Sequence, residues 1–214
     1  MGISTSEIAK LRSITGAGML DCKNALDEVG GDMEKAVDLL RKKGIAKAAK
    51  RAGKVAAEGA VHSYIHAGGK IGVLVEVNCE TDFVGKTEQF RALCSDIAMH
   101  IAAARPLYVT RSDVPDEVLG KEKDIYREQL LAEGKPEGML EKIVEGKLNK
   151  FYADVCLLEQ AFIKDEDKTI EQLLTTKTAE IGEKISVRRF ARYELGEGIE
   201  KEKKDFADEV AAQL

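Results

Sequence analysis

Few side chains in this 214-residue chain are spaced for covalent chemistry. Cys22, Cys79, Cys94 and Cys156 stand far apart, with no Cys-x-x-Cys pair and no disulfide-framework spacing. His62 and His66 share a face if they lie on a strand, but no third ligand is near, so a metal site is not expected. Cys79 beside Glu80 suggests a thiol centre, yet no base or resolving cysteine accompanies it. His100, within Asp96 to Ala103, reads as a helix-surface or interface residue rather than a catalyst. Phosphate loops, Gly-x-Ser-x-Gly elbows and catalytic triads are all missing, so neither an enzyme nor a cofactor is expected. What remains is non-covalent: at Thr81-Asp-Phe-Val84 an acid sits beside a large ring where an apolar run stops. Either Thr81 or Asp82 caps a helix starting near Gly85 with Phe83 packed beneath, or a rigid sheet presents Phe83 and Asp82 to another molecule. Cap-like acids are common at helix starts, so residue chemistry alone favours the cap.

The elements that must position this turn follow from periodicity. Val73, Val75 and Val77 alternate at the two-residue strand period and are β-branched, as a buried strand requires. Residues 61–66 and 71–78 flank Ala67-Gly-Gly69, which signals a hairpin. Phe90, Leu93, Cys94, Ile97, Ala98 and Ile101 make a helical stripe that ends by Pro106. Thr169 with Gln172 caps a further helix carrying Ile170, Leu173, Leu174 and Ile181, and residues 185–195 read as a third strand. Helices on one face of a three-stranded antiparallel sheet give an α+β core over residues 59–198.

Ahead of this core, residues 1–43 read as a three-helix module. Ser4 and Glu7 form a capping box, Thr15 to Gly18 breaks the chain, Gly30-Gly31 ends a second helix and Asp32 caps a third. Met19 and Leu20 follow the Gly-rich turn; a hydrophobic staple and a sticky patch for a partner remain equally open. Residues 41–54 hold seven Lys or Arg and no acid on an Ala-rich background, which reads as a solvated linker helix (basic linker, residues 44–58) rather than a nucleic-acid contact, since no aromatic interleaves the charges. Residues 114–151 suit an antiparallel helical hairpin with a narrow seam of Val118, Ile125, Leu130, Leu140, Ile143 and Val144. Phe206, Val210 and Leu214 line up on a C-terminal helix over residues 199–214.

Composition narrows the partners. Net charge is −5 and aromatics are 5% with no Trp, so direct DNA binding is not expected. An RNA-binding adaptor using residues 41–54 and the charged hairpin is the rival reading, and the acid total and missing stacking aromatics count against it. No apolar run approaches the ~20 residues needed to cross a bilayer. The N-terminal residues lack the basic and apolar regions of a signal peptide, so a cytoplasmic protein is expected.

Two long motifs then carry a resemblance. Leu11-Arg-Ser-Ile-Thr-Gly-Ala-Gly-Met-Leu-Asp-Cys-Lys-Asn-Ala-Leu26 and Val73-Leu-Val-Glu-Val-Asn-Cys-Glu-Thr-Asp-Phe-Val84 closely resemble the signatures of bacterial-type translation elongation factor Ts. Ala98-Met-His-Ile-Ala-Ala103, Gly134-Lys-Pro136, Val144-Glu-Gly146 and Phe206-Ala-Asp-Glu-Val-Ala-Ala212 extend the similarity across essentially the whole chain. The resemblance implies a guanine-nucleotide exchange factor for the GTPase elongation factor Tu, with an N-terminal module similar to a ubiquitin-associated domain. It assigns Arg12, Met19, Leu20 and Lys23 to the nucleotide domain of Tu, Leu20 standing where many members have a second Met. It assigns Thr81, Asp82, Phe83 and Val84 to dislodging the magnesium ion of Tu, and His100 to a further partner contact. This overturns the preference for a plain cap. Shorter family members have one core subdomain, as here, and are expected to form homodimers.

Overall fold

The computed structural model describes residues 3–199 of the chain. The expected C-terminal helix, with Phe206, Val210 and Leu214, lies outside the described residues.

Local signals set the first three helices. In α1 (Thr5–Thr15) the Ser4 hydroxyl accepts from the Glu7 N–H at 3.2 Å, and the Glu7 carboxylate accepts from the Ser4 N–H at 2.8 Å. Gly16, in the left-handed region, ends α1; α2 (Met19–Glu28) follows, and Asp32 caps α3 (Met33–Arg51) by accepting from the Lys35 N–H. Ile8, Leu11, Cys22, Ala25, Leu26, Ala36 and Leu40 form the buried core of the module. The basic run does not form a separate segment: α3 passes through it unbroken to Arg51, a rod of about 28 Å at 1.5 Å per residue. Residue 43, expected as the module's end, falls inside this helix.

The core is the expected α+β arrangement. Strands β1 (Glu58–Ile65), β2 (Ile71–Cys79) and β5 (Ser186–Glu194) form an antiparallel sheet in the order β1-β2-β5. Val73, Val75 and Val77 point to one face and are buried under α5 (Glu88–Ala104), whose stripe from Phe90 to Ile101 closes the same core. Each such valine contributes about 1.5–3 kcal/mol on leaving water, which fixes β2 against slippage. A short turn of helix, α4 (Asp82–Gly85), joins β2 to α5. The other sheet face is open, with Val61, Ile65, Leu74 and Tyr193 exposed.

The projecting hairpin consists of α6 (Asp116–Ala132) and α7 (Glu137–Val155). Its seam buries Leu130, Leu140, Val144 and Leu148, with Tyr126 and Ile143 packed alongside. Ile125, expected in the seam, is exposed; the neighbouring Tyr126 takes its place beneath the Lys147 ammonium, 5.3 Å from the ring centre. At the hairpin base Arg111 stacks 4.5 Å over Tyr152 and pairs with Glu159. A small hairpin of β3 (Ala161–Phe162) and β4 (Asp165–Thr169), not expected from the sequence, leads into α8 (Ile170–Ile181). Helix α3 rests on α8 with little between them: a Cβ on Gly44 would sit 3.3 Å from that of Ala179.

Candidate functional site

The polypeptide leaves the sheet at Cys79 and is fastened at each of the next residues. The Cys79 thiol donates to the Thr81 carbonyl at 3.1 Å. One oxygen of Glu80 accepts the Lys184 N–H at 2.7 Å and the other accepts Arg51 Nη1 from the end of α3 at 2.9 Å. These donors, Lys184 foremost, hold the Glu80 carboxyl below the usual range, so it is ionised at neutral pH. The N–H and hydroxyl of Thr81 both donate to the Glu183 carboxylate, at 3.0 and 2.7 Å. Asp82 pairs with Lys86 at 2.6 Å, which lowers its pKa.

Below the turn the backbone itself makes the fit. Gly85 is buried against β1, where a Cβ would lie 3.2 Å from the Gly59 carbonyl oxygen. Gly59 in turn has φ +131°, and a Cβ there would overlap the Val77 oxygen at 2.2 Å, so a side chain is excluded at that position. Val84 packs on the core from above. Phe83 points the other way and is 78% exposed.

This geometry corrects the cap reading. Thr81 occupies the N-cap position of α4, but its hydroxyl makes no capping bond and is spent on Glu183. The cap of the following helix is Thr87, whose hydroxyl accepts the Phe90 N–H at 3.2 Å. Phe83 does not pack beneath the helix; it stands out from a turn held on three sides.

A second exposed patch lies on the module. Met19 and Leu20 open α2 at 44% and 70% exposure, so they make no staple. Ile14 of α1 is also exposed, and so are Arg12 and Lys23, which form no ion pair among the described residues. Asp21 and Glu28 are tied to Lys47 and Lys43 of α3 at 2.8 and 2.5 Å. With Arg51 on Glu80, these bonds put three of the seven basic residues to internal use.

His100 is the clear correction. Expected at a surface or interface, it is 0% exposed. The Ile163 N–H donates to Nδ1 at 3.4 Å, which leaves Nε2 to donate to Gln160 Oε1 at 3.0 Å. Gln160 passes the chain of bonds to the Asp154 and Ala104 carbonyls. His100 therefore ties α5 to the end of α7 and to the β3–β4 turn, and reaches no outside surface in this conformation.

Burial lowers the His100 pKa. The unfolded chain then takes up a proton near pH 6.5 that the folded chain refuses, so this stability is complete above that pH and is lost as pH falls, by at most about 1.4 kcal/mol per pH unit. Denaturant titrations at about pH 7.5 and about pH 5.5 should show a larger loss for the natural chain than for His100→Gln; equal losses would contradict this account.

Other chemistry finds little support. All four cysteines are buried, and burial raises the Cys79 pKa and pushes Cys94 up to about 12 and Cys156 up to about 11, which suppresses thiolate chemistry. Among the described residues no group of three or more His, Cys, Asp or Glu could hold a metal ion, and no helix is long and apolar enough to cross a membrane.

A family model described as Elongation factor TS matches residues 32–197. Over 212 residues the chain is 63% identical to the elongation factor Ts of Desulforamulus reducens, covering 99% of this chain and 98% of that protein. The chain belongs to the elongation factor Ts family. Relatives in Geobacter sulfurreducens and Carboxydothermus hydrogenoformans, also named elongation factor Ts, are 62% and 60% identical with the same coverage. The family match begins at residue 32, past the Met19–Leu20 patch, but these elongation factor Ts relatives align over nearly the full length and so include it.

Proposed function

We propose that the chain is the guanine-nucleotide exchange factor for elongation factor Tu, promoting GDP release so that GTP can bind during translation elongation in the cytoplasm. The observation that carries this reading is Phe83: a large ring 78% exposed on a turn otherwise fully tied down, in a chain of this family. An exposed aromatic on a rigid support is built to be buried by something else.

Such a protein makes and breaks no covalent bond. It speeds release because it binds nucleotide-free Tu more tightly than the GDP form, and by linkage each binder then weakens the other. The magnesium ion that bridges GDP to Tu is the largest local charge holding the phosphates. Phe83 wedges beside that ion, Asp82 hydrogen-bonds to keep the turn seated, and Thr81 and Val84 anchor it from behind. Arg12, Met19, Leu20 and Lys23 grip the nucleotide domain through their exposed rim. His100 contributes by holding α5 rather than by contact.

The test is turnover. Sub-stoichiometric protein added to Tu loaded with fluorescent GDP, with unlabelled nucleotide in excess, should discharge the whole labelled pool, each molecule of the factor turning over many times. Release at the spontaneous rate would reject the proposal.

A homodimer completes this reading. The open sheet face exposes Val61, Ile65, Leu74 and Tyr193 together, flanked by Glu76 paired to Arg188 and Arg189 at 3.1 and 2.7 Å. A second copy covering this face would bury the apolar centre inside a charged rim. Sedimentation equilibrium should give a dimer for the natural chain and a monomer for Leu74→Glu; a monomer for both would remove the dimer.

A further inference from the structure

Strands β2 and β5 shift register between Glu76 and Val77, and in the new register Val77 faces Val187 and Asn78 faces Ser186. Continued by two and three positions, that register sets Glu80 against Lys184 and Thr81 against Glu183. Here the backbone ladder stops, because the chain must bend away into α4. Side chains replace it. Glu80 reaches across to accept the Lys184 N–H, and Glu183 reaches back to accept both the N–H and the hydroxyl of Thr81. Two adjacent residues on each side thus hold each other reciprocally, with only Asp82 between them and Phe83.

The same carboxylates gather the rest of the molecule. Arg51 brings the end of α3 onto Glu80, and the Lys184 ammonium donates to the Lys54 carbonyl at 3.0 Å. Three segments distant in sequence meet at the root of one exposed ring. A plain strand end would need none of this, since water can satisfy the Thr81 N–H and hydroxyl.

We infer that Glu183, with Glu80, is a positioning residue for nucleotide exchange: the pair of carboxylates holds the turn so that Phe83 meets the partner already ordered. This rests on the exchange reading above. Preorganisation acts on the step Phe83 performs and leaves initial capture by the module untouched. Removing it costs the ordering of about one residue, which corresponds to roughly a tenfold loss in rate.

The test separates the maximal GDP-release rate at saturating factor from the factor concentration giving half that rate. Glu183→Ala should lower the maximal rate about tenfold, the loss expected for ordering one residue, and move the half-saturating concentration much less. Glu183→Gln, which keeps one acceptor oxygen, should fall between. Thr81→Val, at an exposed position, should give a smaller loss of the same kind and decides the matter should Glu183→Ala fail to fold. Combined with Phe83→Ala, Glu183→Ala should add almost nothing, since there is no ring left to position. A natural maximal rate in both Glu183→Ala and Thr81→Val, or a full additive loss in the combination, overturns the inference. If Phe83→Ala itself releases GDP at the natural rate, the exchange reading fails instead.

Discussion

Phe83→Ala lowers the GDP-release rate by roughly ten- to 150-fold and leaves folding nearly unchanged. The range is the ~1.5–3 kcal/mol gained by burying one such ring, converted at 1.4 kcal/mol per decade. Folding is spared because the ring is 78% exposed and gives up little in the isolated chain. Stopped-flow release at saturating factor checks the first part, and a thermal melt shifted by no more than about 2 °C checks the second. A melt that collapses with the rate would mean Phe83 supports its own fold, contrary to its exposure. Acceleration beyond this range has to come from a distributed interface, in which the module takes part.

Arg12→Ala combined with Met19→Ala weakens binding to nucleotide-free Tu by roughly 30- to 700-fold. Neither side chain is used at home: Met19 is outside the module core and Arg12 has no ion pair among the described residues. A truncated Met forfeits about 1–2 kcal/mol of apolar contact, and an unmade Arg contact adds a comparable amount. Titration calorimetry against nucleotide-free Tu reads the change. Unaltered affinity would show that the exposed rim of α1 and α2 takes no part in the complex.

The scaffold was legible where its causes are local. The two-residue spacing of Val73, Val75 and Val77 and the helical spacing from Phe90 to Ile101 both became one buried core. Ser4 with Glu7, Asp32, and Thr169 with Gln172 act as caps because each partner lies three residues away. Reading by period failed where a partner is remote. Nothing near Thr81 announces Glu183, 102 residues on, and without that bond a threonine before an acid looks like a cap. His100 reads as a helix-surface or interface residue when only its own helix is considered; the Gln160 that it bonds in the interior lies 60 residues away.

Other misses have equally specific causes. The module was expected to end at residue 43, yet α3 runs on through Gly44, where the missing side chain allows close approach to Ala179. In the hairpin seam a one-residue difference in facing exchanged Ile125 for Tyr126, because sparse apolar residues define the helix face only loosely. Strand β3, with two residues, is too short to show any period. The exposure of Phe83 follows no local pattern either: an aromatic at a strand end reads as core, and only the likeness to a family pointed outward.

Magnesium gives the most direct measurement. With the GDP complex of Tu held in excess magnesium, the natural chain should release GDP many times faster than Phe83→Ala. After chelation the ion no longer holds the nucleotide, and the account predicts that the ratio of the two rates falls toward one. A ratio that stays the same with and without magnesium would contradict the claim that this ring acts on the cation's site.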